Sequence, residues 1–337
     1  MRNETQTTAQ TQLRFAEAVC AGHPDRLCDE IARRVVDLAC RRDDHALVGI
    51  EVAVHRRMVL VDGRIAAGEG TVCVVSPEEV VAIVRDVFRD AGYGSSDSGT
   101  YPPDPDGLDV TLDICFGPLD ADERAIREVS DDQAIAVGYA CEGRRAGYRP
   151  LEQALANEFV AALETLRRTR PDLGLGPDGK VLVVVRDRSL VAVSISVHHR
   201  PGIEWIGLTR AARTACESIA AEFTAAGELQ PLTAAVDWLV NGAGAFEVGG
   251  PEGDNGLSGK KLVAQAYGTA VPIGGGAVFG KDPRKVDPRG QAMARRLALD
   301  LVVGGQAGEA TVWLAWRPGD IEPRWQEVVT TPVTASI

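Results

Sequence analysis

Apolar positions along this chain switch repeatedly between the helical and the extended period. From Asp29 to Cys40, the residues Ile31, Val35, Val36 and Leu38 share one face of a 3.6-residue repeat and predict a helix. Two β-rich stretches follow, Ala46–Val54 and then Met58–Val61 with Ile65–Val75, and Asp62-Gly63 inside the latter reads as a hairpin turn. Ser76-Pro77-Glu78-Glu79 opens the next helix. Its serine caps free amides, its proline suits the first turn, and its acids favour the positive end of the helix dipole. That helix runs to Ala91 before Gly92, and a strand over Leu108–Cys115 closes the unit.

The same order recurs, which is a signal of internal repetition. A helix over Leu151–Thr169 precedes strands Lys180–Val185 and Leu190–Val197, which flank a turn at Arg186–Ser189. A helix over Leu208–Ala226 and a strand over Ala235–Val240 complete this second round. A third begins with the helix Pro288–Val303 and the strands Thr311–Trp316 and Trp325–Thr330, and reaches Ile337 without a second helix or closing strand. The pattern predicts an α+β protein of three similar domains, 13–118, 119–248 and 249–337, the last expected to be shortened. Between the repeats lie the loops Gly92–Gly107 and Asp120–Asp132, and above all the glycine-rich segment Asn241–Asp287. Loops of that length without secondary structure are usually functional or disordered, and the glycines and lysines of this one favour function.

Composition narrows the classes of activity. With 337 residues, 45% of them hydrophobic, the chain can bury a substantial core without staples. Forty-eight acidic against 36 basic residues leave a net charge of -12, which argues against a nucleic-acid partner or an anionic-membrane surface and restricts any polyanion site to a local patch. No uncharged apolar run approaches the roughly 20 residues of a membrane span. The opening MRNETQTTAQTQLR has no apolar signal core, so a soluble cytoplasmic protein with a short frayed N-terminus is expected. The seven cysteines are scattered and never spaced as C-x-x-C, which reads as small buried hydrophobes rather than a metal or redox site.

Two segments concentrate chemistry. The first, FAEAVCAGHPDRLCDEI over Phe15–Ile31, sets His23, Asp25 and Arg26 just before a helix, where helix-terminal amides also attract anions. The second reads NGAGAFEVGGPEGDNGLSGKKL and then YGTAVPIGGGAVFGKDPRKVDP. Its glycines let backbone amides close on a ligand, Lys260, Lys261, Lys281 and Lys285 supply positive charge, and Asp254, Asp282 and Asp287 can hold a divalent cation. Pro283 sets Lys281 and Lys285 on a loop rather than a helix face. By composition alone the lysines read equally as a solvated basic loop. The glycine pattern is neither a P-loop nor a dinucleotide-binding fingerprint.

Taken together, GHPDR near the N-terminus, GGPEGDNGLSGKK and GGGAVFGKDPRKVD closely resemble the signature segments of the S-adenosylmethionine synthetase (methionine adenosyltransferase) family. DQAIAVGYA at Asp132–Ala140 and PDGK at Pro177–Lys180 extend the likeness from Phe15 to about Thr330. The resemblance implies three α+β domains in a pseudo-threefold arrangement. It also implies attack of the L-methionine sulfur on C5′ of ATP, with triphosphate expelled and hydrolysed to diphosphate and phosphate. On this reading His23 lies near the ribose 5′-oxygen, and Arg26, Lys180, Lys260, Lys261, Lys281 and Lys285 clamp phosphates. Asp25 and Asp287 resemble magnesium ligands, and Glu51 the ligand of an activating potassium ion. Glu17, Asp132, Asp178, Phe246 and Asp254 match positions lining the nucleotide and methionine pockets. The family's active sites form at a dimer interface, so a homodimer is expected, or a tetramer built from two.

Departures from the family pattern cluster on the acceptor side. Arg26 replaces a lysine and Lys260 an arginine, which keeps the charge but not the geometry. Arg64 takes the place of a glutamate facing the methionine amino group, a reversal that repels an ammonium by about 4 kcal/mol at about 4 Å and an effective dielectric of about 20. Phe116 replaces a loop glutamine, Ala245 an arginine and Phe279 a serine. Three readings stay open: an ordinary methionine enzyme rearranged locally, a paralogue with a non-methionine acceptor or acting only on triphosphate, and a non-catalytic ATP-binding subunit.

Overall fold

The computed structural model describes residues 12–233 and 235–333. Its first part holds strand β1 (Leu13–Val19), helix α1 (Pro24–Arg42), the hairpin β2 (Leu47–His55) and β3 (Met58–Ala66), and helix α2 (Pro77–Ala91). A short ribbon of β4 (Gly94–Ser96) and β5 (Gly99–Tyr101) leads to β6 (Asp109–Gly117). Then come α3 (Ala121–Ala125), β7 (Ala134–Cys141), α4 (Leu151–Thr169), the hairpin β8 (Leu175–Arg186) and β9 (Ser189–His199), α5 (Trp205–Ala225) and β10 (Asp237–Val240). The remainder holds β11 (Gly256–Leu257), α6 (Leu262–Gln265), α7 (Val286–Val303) and the hairpin β12 (Glu309–Trp316) and β13 (Trp325–Thr331).

Three main sheets share one local plan. In the β11-β2-β3-β6 sheet, the β2–β3 hairpin is followed by α2 and the parallel strand β6; in the β1-β8-β9-β10 sheet, the β8–β9 hairpin is followed by α5 and the parallel strand β10. The third sheet, β13-β12-β7, is built on the β12–β13 hairpin. In all three the first hairpin strand carries an antiparallel edge strand from a distant part of the chain: β11 on β2, β1 on β8, β7 on β12. Local order follows the sequence pattern, while the sheets are completed by exchange of strands.

Each sheet buries alternate residues under its helices. Val48, Ile50, Val52 and Val54 of β2 join Leu27, Ile31 and Val35 of α1 in one core. Val181, Val183 and Ile195 meet Leu155 and Phe159 of α4 and Phe223 of α5 in a second, and Val312 and Leu314 meet Ala294 and Ala298 of α7 in a third. There α7 lies so close to β7 that a side-chain carbon at Gly138 would sit 2.0 Å from the Ala294 carbonyl carbon, which leaves glycine alone tolerable. Residues alternating with the inward ones stay open, including Phe15, Leu182 and Leu239 on one sheet and Met58 and Leu60 on another.

The cap reading of α2 is borne out: Ser76 and Glu79 form a reciprocal capping box, and Gly92 ends the helix at φ 105°. The hairpin turn is not at Asp62-Gly63. It falls at Arg56, which takes a left-handed φ of 52°, while Gly63 sits mid-strand opposite Ile50 and permits close passage of the Gly49 carbonyl. Leu13 and Arg14, expected in a frayed terminus, are ordered in β1; residues 1–11 lie outside the described range. Neither β1 nor β7 announces itself as a separate strand in the hydrophobic pattern. Among the described residues no helix is long and apolar enough to cross a membrane, and all seven cysteines are free.

Candidate active site

The two glycine-lysine motifs are strung along one edge of β2. Gly256–Leu257 pair with Val54 and Ala53, the Ser258 amide donates to the Val52 carbonyl (2.9 Å), and Ser258 Oγ accepts from the Val52 amide (2.9 Å). Farther along the same edge the Ile50 amide donates to Gly280 (2.9 Å), Lys281 bridges Gly49, and the Asp282 amide donates to Val48 (3.1 Å). Backbone pairing thus sets Lys260 and Lys261 at one end of the strand and Lys281 and Lys285 at the other. Asp25 and Asp29 of α1 fasten the first motif by accepting from the Leu257 and Gly259 amides at 3.0 and 2.8 Å.

His23 caps α1. Its Nδ1 accepts from the Asp25 amide at 3.2 Å, so the neutral ring carries its proton on Nε2. Burial holds the His23 pKa below its ordinary value, against the pull of Asp178 and Asp25. The loop before it is pinned to the β8 segment through Cys20 and Gly22, whose amides donate to Gly179 (2.9 Å) and Pro177 (3.2 Å). A side chain at Gly22 would strike Pro177 at 2.5 Å. Asp178, buried at this junction, accepts from the Gly179 and Gly250 amides, both at 2.7 Å, yet burial raises its pKa.

Around this pair lies a first group of candidate residues. Asp25, 1% exposed, holds Lys261 at 2.7 Å and Lys260 at 3.6 Å. Burial pushes the Asp25 carboxyl up, but Lys261 and the Leu257 amide outweigh it and keep it below the usual carboxylate range. Lys180 pairs with Glu17 across β8 and β1 at 2.6 Å. Asp254 is exposed and acts electrostatically on Asp178. The Phe246 backbone is latched to His199 by two 3.0 Å hydrogen bonds, and its ring lies 5.6 Å from that of His198. Arg26 faces the Phe279 ring at 6.0 Å, so two of the departures from the family pattern are neighbours.

A second group sits on the other end of the β2 edge. Lys281 pairs with Asp287, and Lys285 with Asp131 at 2.8 Å. Arg64 is matched by Glu123 of α3 at 2.6 Å, and Phe116 packs partly buried against the β2–β3–β6 core. Glu51 accepts from Ser258 Oγ, and Asp132, next in the chain to Asp131, is exposed. Among the described residues no side-chain hydrogen bond or ion pair joins the first group to the second. Glu17 and Lys180 share an open sheet face with Leu182, as Arg64 shares one with Leu60.

Three participants carry no sequence signal. Glu123 and Asp131 lie in the Asp120–Asp132 segment, far in sequence from the charges they meet. Arg127, 2% exposed, makes a buried ion pair with Asp282 and donates to the Ala46 carbonyl at 3.0 Å. Asp282 is consequently not available to a divalent cation. Its oxygens are taken by Arg127, the Val48 amide (2.9 Å) and the Arg284 and Lys285 amides (2.9 and 3.2 Å).

A helix-capping imidazole beside buried carboxylates, with two lysine-bearing, glycine-rich loops strung on one strand edge, defines an α+β protein with a site built of paired charges. Residues 11–104 match the N-terminal domain, and residues 248–335 the C-terminal domain, of S-adenosylmethionine synthetase. The chain is 32% identical to the S-adenosylmethionine synthase of Prochlorococcus marinus (strain MIT 9303) over 327 residues, covering 91% of this chain and 76% of that one. It is 32% identical to the enzyme of that name from Thermosynechococcus vestitus and 33% to that from Synechococcus sp. (strain RCC307), covering 77% and 78% of them. The chain belongs to the S-adenosylmethionine synthetase family.

Proposed function

We propose that this protein is an ATP-dependent adenosyltransferase that joins ATP to L-methionine or a related acceptor, as a cytoplasmic homodimer with active sites at the interface. The observation that carries the reading is the fixed tautomer of His23, which leaves a neutral Nε2–H donor beside Asp178, Lys180 and Lys261. Displacement at C5′ breaks the bond to the triphosphate oxygen as the bond to sulfur forms, so the protein's task is to align the partners and stabilise charge on the leaving group. His23 Nε2–H is suited to that oxygen, and Arg26, Lys180, Lys260, Lys261, Lys281 and Lys285 to the phosphates. Phe246 and Asp178 fit the nucleoside, and Asp132 and Asp254 the acceptor. The division at 13–118, 119–248 and 249–337, in pseudo-threefold arrangement, belongs to the same proposal.

Asp25 and Asp287 would hold magnesium by the family resemblance; here their oxygens are taken by Lys261 and the Leu257 amide and by Lys281, so a bound ion would have to displace those lysines. Glu51 with the Ser258 hydroxyl offers an oxygen pair to potassium. When bound, magnesium supplies further neutralisation of phosphate charge. The open sheet faces carrying Glu17, Lys180 and Arg64 beside apolar residues favour a second subunit as cover.

Arg64 supports a second reading, an acceptor that is not plain methionine. Its charge is matched by Glu123, and an acceptor carboxylate can compete for the same guanidinium. Incubation with ATP, magnesium, potassium and L-methionine, following S-adenosylmethionine and phosphate together, tests both. Product at ordinary turnover establishes the methionine enzyme. Triphosphate cleavage without adenosyl transfer selects the changed acceptor, and thermal stabilisation by ATP without either reaction selects a binding subunit.

A further inference from the structure

Away from the candidate site residues, a cleft of about 520 Å³ opens between β1, the start of α4 and the paired strands β7 and β12. Glu152, in the first turn of α4, lines it while only 1% exposed, and its Oε1 has no hydrogen-bond partner. The neighbouring Arg14 acts electrostatically on Glu152 but makes its ion pair with Glu309, at 3.7 Å. A buried carboxylate oxygen without a hydrogen-bond partner is costly, and burial pushes the Glu152 carboxyl up despite a backbone hydrogen bond and the charge of Arg14.

Charge around the cleft points one way. Glu142, Glu152, Asp187, Glu228 and Glu309 outnumber Arg14 and Arg188. Glu228 is already spent on the Arg145 and Ala146 amides, at 2.6 and 2.9 Å, and Glu309 is shared with Arg14, which leaves Glu152 Oε1 as the inner acceptor and Glu309 as an outer charge. Leu151, Val185 and Ala146 add apolar lining. A bare metal ion leaves most of this volume and the apolar wall unused, whereas an ammonium or guanidinium head on a short hydrocarbon uses both.

We infer that this cleft binds a small organic cation, its head on Glu152 and its hydrocarbon on the Leu151–Val185 wall. The site is separate from the proposed nucleotide site and does not depend on that reading. Isothermal titration calorimetry of the full chain at pH 7 tests it, with n-butylammonium and butane-1,4-diammonium as probes and 1-butanol and butyrate as neutral and anionic controls. The ammonium compounds are expected to bind saturably and the controls not. Glu152→Gln is expected to weaken binding by about tenfold or more with no loss of melting temperature. Glu309→Gln, at a partly exposed position, is expected to weaken it as well and serves if the first variant does not fold. Absence of saturable ammonium binding, equal binding of butyrate, or undiminished affinity in the folded variants would overturn the assignment.

Discussion

His23, Arg64 and His198 illustrate how far a residue's chemistry depends on neighbours it meets only after folding. The backbone amide on His23 Nδ1 sets its tautomer, and replacing the ring removes the one neutral donor of the first group. His23→Ala is expected to lower S-adenosylmethionine formation by about a hundredfold or more while leaving the melting temperature nearly unchanged, checked by product assay and thermal melt. Arg64, read in isolation, repels an ammonium; paired with Glu123 it becomes part of a neutral couple that an anionic acceptor can divide. Arg64→Ala is expected to raise the acceptor KM and leave the KM for ATP unchanged, as steady-state kinetics would show.

At the same scale, His198 lies between Tyr101 and Phe246, with ring centroids 5.1 and 5.6 Å away, and burial lowers its pKa to about 4. The unfolded chain therefore takes up this proton first as pH falls. The stabilising contribution is complete above about pH 6.5 and is lost toward pH 4, by roughly 3 kcal/mol. Urea unfolding at pH 7 and pH 4.5 should show that the fall is smaller in His198→Gln than in the wild type.

Elements show a sharper division between the legible and the hidden. Helices α2 and α4 could be placed from the chain alone, because caps and a 3.6-residue stripe are local properties. Strands β1 and β7 could not, since each is defined by the hairpin it joins, more than 160 residues away at the Leu13–Arg186 and Cys141–Glu309 pairings. The Asp62-Gly63 turn failed because close packing against Gly49 requires glycine as firmly as a hairpin does. The β2 edge that orders the lysine loops is likewise a tertiary pairing, and it is locked by Arg127 on Asp282. Arg127→Met leaves that carboxylate buried without its counter-charge and is expected to cost about 3–5 kcal/mol in chemical denaturation.

Over the whole molecule, the three main cores and the three half-open main sheets leave Phe15, Leu182 and Leu239 exposed on one face with the Glu17–Lys180 pair beside them. Such a face is expected to be covered by a second copy. Sedimentation equilibrium should give twice the 35.8 kDa chain mass, and Leu182→Asp should return the monomer and reduce activity together. The glycine-lysine runs that hold most of the proposed residues stand out in the sequence, whereas Glu17, Glu51, Asp132, Asp178 and Phe246 are named only through the family resemblance. By itself the amino-acid sequence determined the bounds of α2 and α4, the recurrent helix-hairpin order and the inventory of charges. Only the tertiary structure decided which strands complete each sheet, that Asp282 faces Arg127 rather than a cation, and that Arg64 is neutralised. Those outcomes rest on contacts between segments distant in sequence, whose energies no local pattern encodes.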